Sequence, residues 1–220
     1  MKVLVVRGGW DGHRPVEATE RFIPFLRDAG FAVEVSGSLD VYADGVAGFD
    51  LVVQCWSDGV LTAEQFAGLE SAVRGGTGFA GWHGGIVDSF RGTRAYMWLV
   101  GGQFVAHPGD FVDHRVEVVA DHPVVAGLDG FALRTEQYWV LADGLNDVLA
   151  TTTFQPAGAW DRPVTVPAVW TRRWGAGRVF VCTPGHAPED LDVPEVRTIV
   201  ERGLLWAARA GARPDDGRLR

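Results

Sequence analysis

The sequence predicts an α/β fold, a flavodoxin-like three-layer sandwich on a mostly parallel, doubly wound sheet with extra antiparallel edge strands. Three observations carry this. Through the first half of the 220 residues, apolar strands alternate with helical stretches, the order a parallel sheet with crossover helices requires. The second half changes to short strand segments joined by turn signals, which extend such a sheet at one edge. With a hydrophobic fraction of 47%, the chain can bury one sizeable core. Residues 1–210 are read as a single domain and 211–220 as a polar, frayed tail.

Taken in order, residues 3–7 are a continuous apolar strand of the kind buried on both faces of a parallel sheet. The same run is too short in its apolar part for a signal peptide. A helix follows over 15–29, with Pro15 in its first turn and Gly30 closing it; Pro24 must kink or split it. Residues 31–36 alternate as a second strand, and 50–56 are a third, nearly all apolar. Over 62–74 the pattern is an amphipathic helix: Thr62 caps it, Gln65 stands three residues on, and Gly75-Gly76 stops it. Residues 78–82 form the fourth strand. Short strands follow over 114–119, 131–133, 148–152, 168–173 and 178–182, the last two joined by the hairpin turn Trp174-Gly175-Ala176-Gly177. A closing helix spans 194–210, with Ile199, Gly203 and Trp206 along one side.

A formal net charge of −8 and the lack of any basic stripe argue against nucleic acid, whose phosphates need Lys and Arg. No apolar run approaches the ~18 residues of a membrane span. Cys55 and Cys182 lie in separate strands and form no Cys-x-x-Cys pair; they are read as buried free thiols of a reducing cytoplasm.

The stretch Gly78-Phe79-Ala80-Gly81-Trp82-His83-Gly84-Gly85 runs a strand into a Gly-x-His-x-Gly turn. That is the layout of a nucleophile elbow, in which glycines let one side chain stand exposed at a strand's carboxyl end. Hydrolases keep Ser there and glutamine amidotransferases keep Cys; this chain keeps His83. An imidazole exchanges protons or binds a metal but rarely forms the acyl intermediate of Ser or Cys.

Ligands of open α/β sheets bind outside the carboxyl ends of the parallel strands. Trp10 follows the first strand there, and Trp56 and Trp82 end the third and fourth. Three indoles at one rim suit a sugar ring, whose C–H groups pack on aromatic faces; the plainer alternative is that each packs a helix onto the sheet. Asp11 and His13 leave the first strand in Gly8-Gly9-Trp10-Asp11-Gly12-His13, toward the same crevice. His107 precedes the rigid Pro108, and His186 follows Thr183-Pro184-Gly185 after the last strand. Glu136, in Thr135-Glu136-Gln137-Tyr138-Trp139, is the candidate acid or base, since a glutamate flanked by aromatics can have a raised pKa. His122, opening a turn, and His114, alternating in a strand, are read as structural. Without a His-x-x-x-His pair, any metal must draw ligands from distant loops. The glycines of 7–12 lack the spacing of a phosphate loop.

These motifs, in this order, resemble the ThuA-like (trehalose utilisation) family, a branch of the class I glutamine amidotransferase-like superfamily. The matching stretches are the Gly-rich exit of the first strand, the elbow through His83, and Gly101-Gly102-Gln103-Phe104 leading to His107-Pro108. They continue through His122-Pro123, Gly127-Leu128, Glu136 with Tyr138, and Gly177-Arg178-Val179-Phe180 ending at Gly185-His186. The resemblance implies a flavodoxin-like sandwich, a role in disaccharide or keto-sugar metabolism, and His83, His107, Glu136, Tyr138 and His186 as site residues. Two positions depart from the family pattern. Gly84-Gly85 replaces a small hydroxyl-and-alanine pair, and Thr135 replaces an acidic residue that could have bound a cation.

The leading expectation is therefore a small cytoplasmic enzyme of trehalose, related disaccharide or keto-sugar metabolism, without amidotransferase activity. His83 and Glu136 exchange protons with a small carbohydrate; Tyr138, His107 and His186 orient its hydroxyl or carbonyl groups. Trp10 and Trp82 form the ring platform, with Trp56, Asp11 and His13 beside it. Isomerisation, enolisation beside a ketone and elimination all remain open. The alternative is a non-catalytic carbohydrate-binding or regulatory module. A metal-dependent version takes a divalent ion on some of His83, His107, His186 and Glu136. The exposed strand edge of the second half suggests a homodimer.

Overall fold

The computed structural model describes residues 1–209, so residue 210 and the expected tail over 211–220 lie outside the described residues. The first half supplies β1 (Lys2–Gly9), β2 (Ala32–Ser36), β3 (Leu51–Ser57) and β4 (Gly78–Trp82). The second supplies β5 (Gly102–Ala106), β6 (Phe111–Val118), β7 (Phe131–Glu136), β8 (Trp139–Ala142), β9 (Asp147–Phe154), β10 (Val164–Trp174) and β11 (Gly177–Cys182). Nine of these form one sheet in the order β2-β1-β3-β4-β11-β10-β9-β6-β7, while β5 and β8 pair apart as a ribbon. From β2 to β11 the neighbours run parallel. From β10 outward every pairing is antiparallel. The fold is thus the predicted doubly wound sheet with an antiparallel extension. The tight turn after Trp174, paired with Gly177, hands the chain from one part to the other.

Helices cover both faces. The expected helix over 15–29 is split into α1 (Pro15–Glu20) and α2 (Ile23–Asp28), with Pro24 in the first turn of α2, where a missing N–H is harmless. Then come α3 (Asp40–Asp44), α4 (Ala63–Arg74), α5 (Gly84–Val87), α6 (Arg94–Val100) and α7 (Pro194–Ala207). The capping box of α4 is formed: Gln65 N–H donates to Thr62 Oγ1 at 3.1 Å, and Thr62 N–H to Gln65 Oε1 at 2.9 Å. The closing helix stops at Ala207, short of its predicted end. Ala208 turns extended, and the Arg209 N–H donates to the Asp50 carbonyl at 2.9 Å, drawing the chain off the helix axis.

The strand pleat divides the core in two. Val3 and Val5 of β1 pack with Phe22, Leu26, Ile199 and Leu204 on one face. Leu4 and Val6 pack with Leu69, Val73, Tyr96 and Leu99 on the other. Gly203 lets α7 close on the sheet, since a Cβ there would stand 2.3 Å from the Phe180 ring. Both cysteines are buried and free, as predicted.

Candidate active site

The carboxyl ends of the parallel strands deliver the site. β1 leads into a single 3₁₀ turn, Asp11–His13, that carries His13. β3 ends at Ser57, β4 turns at His83, and β11 is followed by Thr183 and His186. Glu136 closes β7, and Tyr138 lies in the link to β8. His83 has φ 48 and ψ −145, a positive φ that a residue with a side chain rarely adopts. Its N–H donates to the Cys182 carbonyl at 2.7 Å, which ties the elbow to β11.

The imidazoles converge on one carboxylate. His83 Nδ1 is 2.8 Å from the Thr183 carbonyl oxygen, which can only accept, so Nδ1 carries the hydrogen. That leaves Nε2 3.2 Å from Glu136 Oε2. His186 Nδ1 lies 3.0 Å from the same oxygen, yet out of line for a hydrogen bond. His107 Nε2 stands 3.8 Å from Glu136 Oε1. His13 is hydrogen-bonded through Nδ1 to Ser57 Oγ at 2.5 Å, and its ring meets those of His83 and His186 edge-on. Tyr138 lies against His83 with ring centroids 3.9 Å apart.

Burial sets the charges. His83 is 1% exposed, and desolvation lowers its pKa against the pull of Glu136 and Thr183. Burial, then repulsion from His83 and His186, lowers His13 to about 3. The expectation of a raised Glu136 pKa is overturned. Burial does push its carboxyl up, but the contacts with His186 and His83 outweigh it and hold it well below the usual carboxylate range. Burial, then Glu136 and Asp88, push the Tyr138 phenol up, so it stays protonated and can donate.

Above the cluster opens a crevice of about 310 Å³, lined by Trp10, His13, Ser57, Asp58, Asp88, Arg91, Phe104, His107, Glu136 and Tyr138. Arg91 grips Asp88 with two hydrogen bonds of 2.5 and 2.6 Å. Three of the residues expected to contact substrate lie outside the crevice lining. Trp82 alternates with Phe79 and so shares the Ala80 face; its ring packs on Phe22 in the core, centroids 5.0 Å apart. Trp56 folds back over Gly8, its register partner in β1, and joins the opposite core. Asp11 sits exposed on its turn, outside the lining. Of the three indoles only Trp10 reaches the crevice, 55% exposed.

Sequence reasoning assigned no role to Ser57, Asp58, Asp88, Arg91 and Phe104; Phe104 ends the motif Gly101-Gly102-Gln103-Phe104, and the other four belong to none of the motifs named above. The space opened by Gly84 is filled by His13: a Cβ at Gly84 would stand 2.3 Å from His13 Cε1. Thr135, in place of an acid, donates its hydroxyl to Asp190 at 2.6 Å. His122 accepts the Val124 N–H within its turn, and His114 approaches its own strand's Val112 carbonyl.

The same fold occurs in a ThuA-like protein from Bacteroides uniformis, 16% identical, TM-score 0.76, covering 94% of this chain and 91% of that one. A ThuA-like protein from Parabacteroides merdae is 17% identical, TM-score 0.73, covering 98% and 94%. A cytoplasmic protein from Salmonella typhimurium is 14% identical, TM-score 0.65, covering 95% and 100%. None of the curated proteins matches the sequence significantly. The ThuA family profile, trehalose utilisation, matches residues 2–207. With the predicted motifs at the strand ends of the predicted sheet, the chain belongs to the ThuA family.

Proposed function

We propose that this protein is an enzyme of disaccharide or keto-sugar metabolism that moves protons on a small carbohydrate bound in the crevice. The observation that supports it best is the meeting of three imidazoles on Glu136 beneath an open, polar crevice with aromatic walls. Its volume is at the small end of ligand pockets, which run ~300–1,000 Å³, and suits one sugar ring. Trp10 and Phe104 offer the ring faces, while Asp58 and the Asp88–Arg91 pair offer partners for hydroxyl groups.

Carbon acids beside a ketone are the substrates such a site handles best. His107 or His83 takes the proton, and Glu136, ionised and within reach of both, stabilises the imidazolium that forms. Tyr138, still protonated, donates to the developing oxyanion. Amidotransfer has no nucleophile here, since burial raises the Cys55 thiol to about 12 and the Cys182 thiol further still. Location in the cytoplasm is part of the proposal. The Salmonella relative is described as cytoplasmic, and among the described residues no helix is long and apolar enough to cross a membrane.

The test is a panel of trehalose, related disaccharides and their keto derivatives, followed by proton NMR in deuterium oxide. Exchange or turnover should appear with the intact protein and fall by about 10²–10⁴-fold in His83→Ala. Binding without turnover, with only affinity changed in His83→Ala, would instead make the protein a carbohydrate-binding module.

A further inference from the structure

Two acceptors face each other in the heart of the site. The Thr183 carbonyl claims the Nδ1 hydrogen of His83, so the neutral ring turns a lone pair at Nε2 toward Glu136 Oε2, 3.2 Å away. His186 Nδ1 closes on the same oxygen to 3.0 Å without hydrogen-bond geometry. Such an arrangement repels unless a cation or a shared proton sits within it. One nitrogen each from His13, His83 and His186 and one oxygen of Glu136 lie within 4.8 Å of one another.

We propose that His13, His83, Glu136 and His186 are the ligands of one first-row divalent transition-metal ion, to which adjacent oxygens of the sugar also coordinate. The sugar clause rests on the function proposed above; the ion clause stands without it. Ligand atoms ~2.1 Å from a tetrahedral ion are roughly 3.4 Å apart, so the set closes with shifts of about an ångström. Three imidazoles with one carboxylate select an ion of the Zn²⁺, Fe²⁺ or Co²⁺ kind over Mg²⁺ or Ca²⁺, which require mostly oxygen.

The surroundings are those of a built site. His83 is oriented by the Thr183 carbonyl through Nδ1, which leaves Nε2 for the ion, and the His13 ring is held by Ser57 Oγ. Phe111 meets the His186 ring edge-on, centroids 5.1 Å apart. Glycine at 84 is what admits the His13 ring. His107, 34% exposed and near the other Glu136 oxygen, stays outside the ligand set and free to handle protons once the ion is in place.

Calorimetry on untagged, chelator-treated protein, titrated with Zn²⁺, Co²⁺ and Mg²⁺, tests this. One Zn²⁺ or Co²⁺ per chain should bind at least about 100-fold more tightly than Mg²⁺. Co²⁺ should give visible d–d absorption, and Zn²⁺ should raise the thermal midpoint. His13→Ala and His186→Ala should each weaken Zn²⁺ by about tenfold or more, and Ser57→Ala by about 10–100-fold. His114→Ala should leave it unchanged. Failure of the intact protein to bind either ion stoichiometrically, a measurement independent of any variant's folding, overturns the proposal. So does tight binding that survives the double substitution of His13 and His186. Sugar titrations with and without Zn²⁺ separate the two readings. Sugar binding to a protein that takes no ion refutes the ion alone, and ion binding without sugar binding refutes the sugar alone.

Discussion

At the scale of single residues, the buried imidazoles make stability depend on acid. The folded-state pKa of His13 lies at about 3, below the ordinary 6.5, so the unfolded chain takes up the proton first. Its contribution is complete above about pH 6.5 and is lost as the pH falls toward 3. Glu136 acts in the same direction at lower pH, because its depressed carboxyl contributes above the ordinary 4.5 and loses that contribution below it. The thermal midpoint of chelator-treated protein should therefore fall between about pH 7 and pH 4, and less steeply in His13→Asn. Parallel slopes would remove His13 from the account. Which residues were readable beforehand follows the same scale. His83, His107 and His186 stand beside glycines or prolines that shape the backbone locally, and the structure gathers them. Trp82 was misplaced because its direction depends on the pleat of β4. Asp88 and Arg91 carried no local mark, their place being set by how the chain leaves α5.

Among the elements, α4 is the one whose ends were most legible, and it offers a clean test. Thr62→Ala removes the reciprocal cap and should cost about 0.5–2 kcal/mol in urea unfolding while leaving ligand binding unchanged. A change in binding would mean that α4 communicates with the crevice. The long apolar strands and the last hairpin were legible because period and turn chemistry agree there. The elements missed were α3, α5 and α6, of 5, 4 and 7 residues, each too brief to show a 3.6-residue period. The β5–β8 ribbon was missed for another reason. Its strands pair across 32 or more intervening residues, a partnership that tertiary packing alone decides.

For the whole molecule, order of protection follows position in the sheet. β3, β4 and β11 have parallel neighbours or a hairpin partner on both sides and a core on each face, while β2 and β7 are the outer strands. Amide hydrogen exchange should be slowest in β3, β4 and β11 and faster at β2 and β7. Protection spread evenly across the sheet would show that the two halves open only together.

The neighbour of β4 is β11, although about a hundred residues are made between them. On a ribosome adding roughly 5–20 residues each second, β4 thus waits some 5–20 s with one edge unpaired. During that interval Phe79 and Trp82 have no β11 side chains beside them, and the backbone edge of β4 can template a strand from another nascent chain. The insertion that brings His186 to Glu136 therefore completes the parallel sheet and the site together, after every other strand of the sheet has been made. Growth conditions that slow translation of the second half should tax this protein more than one whose strands pair in the order they are made.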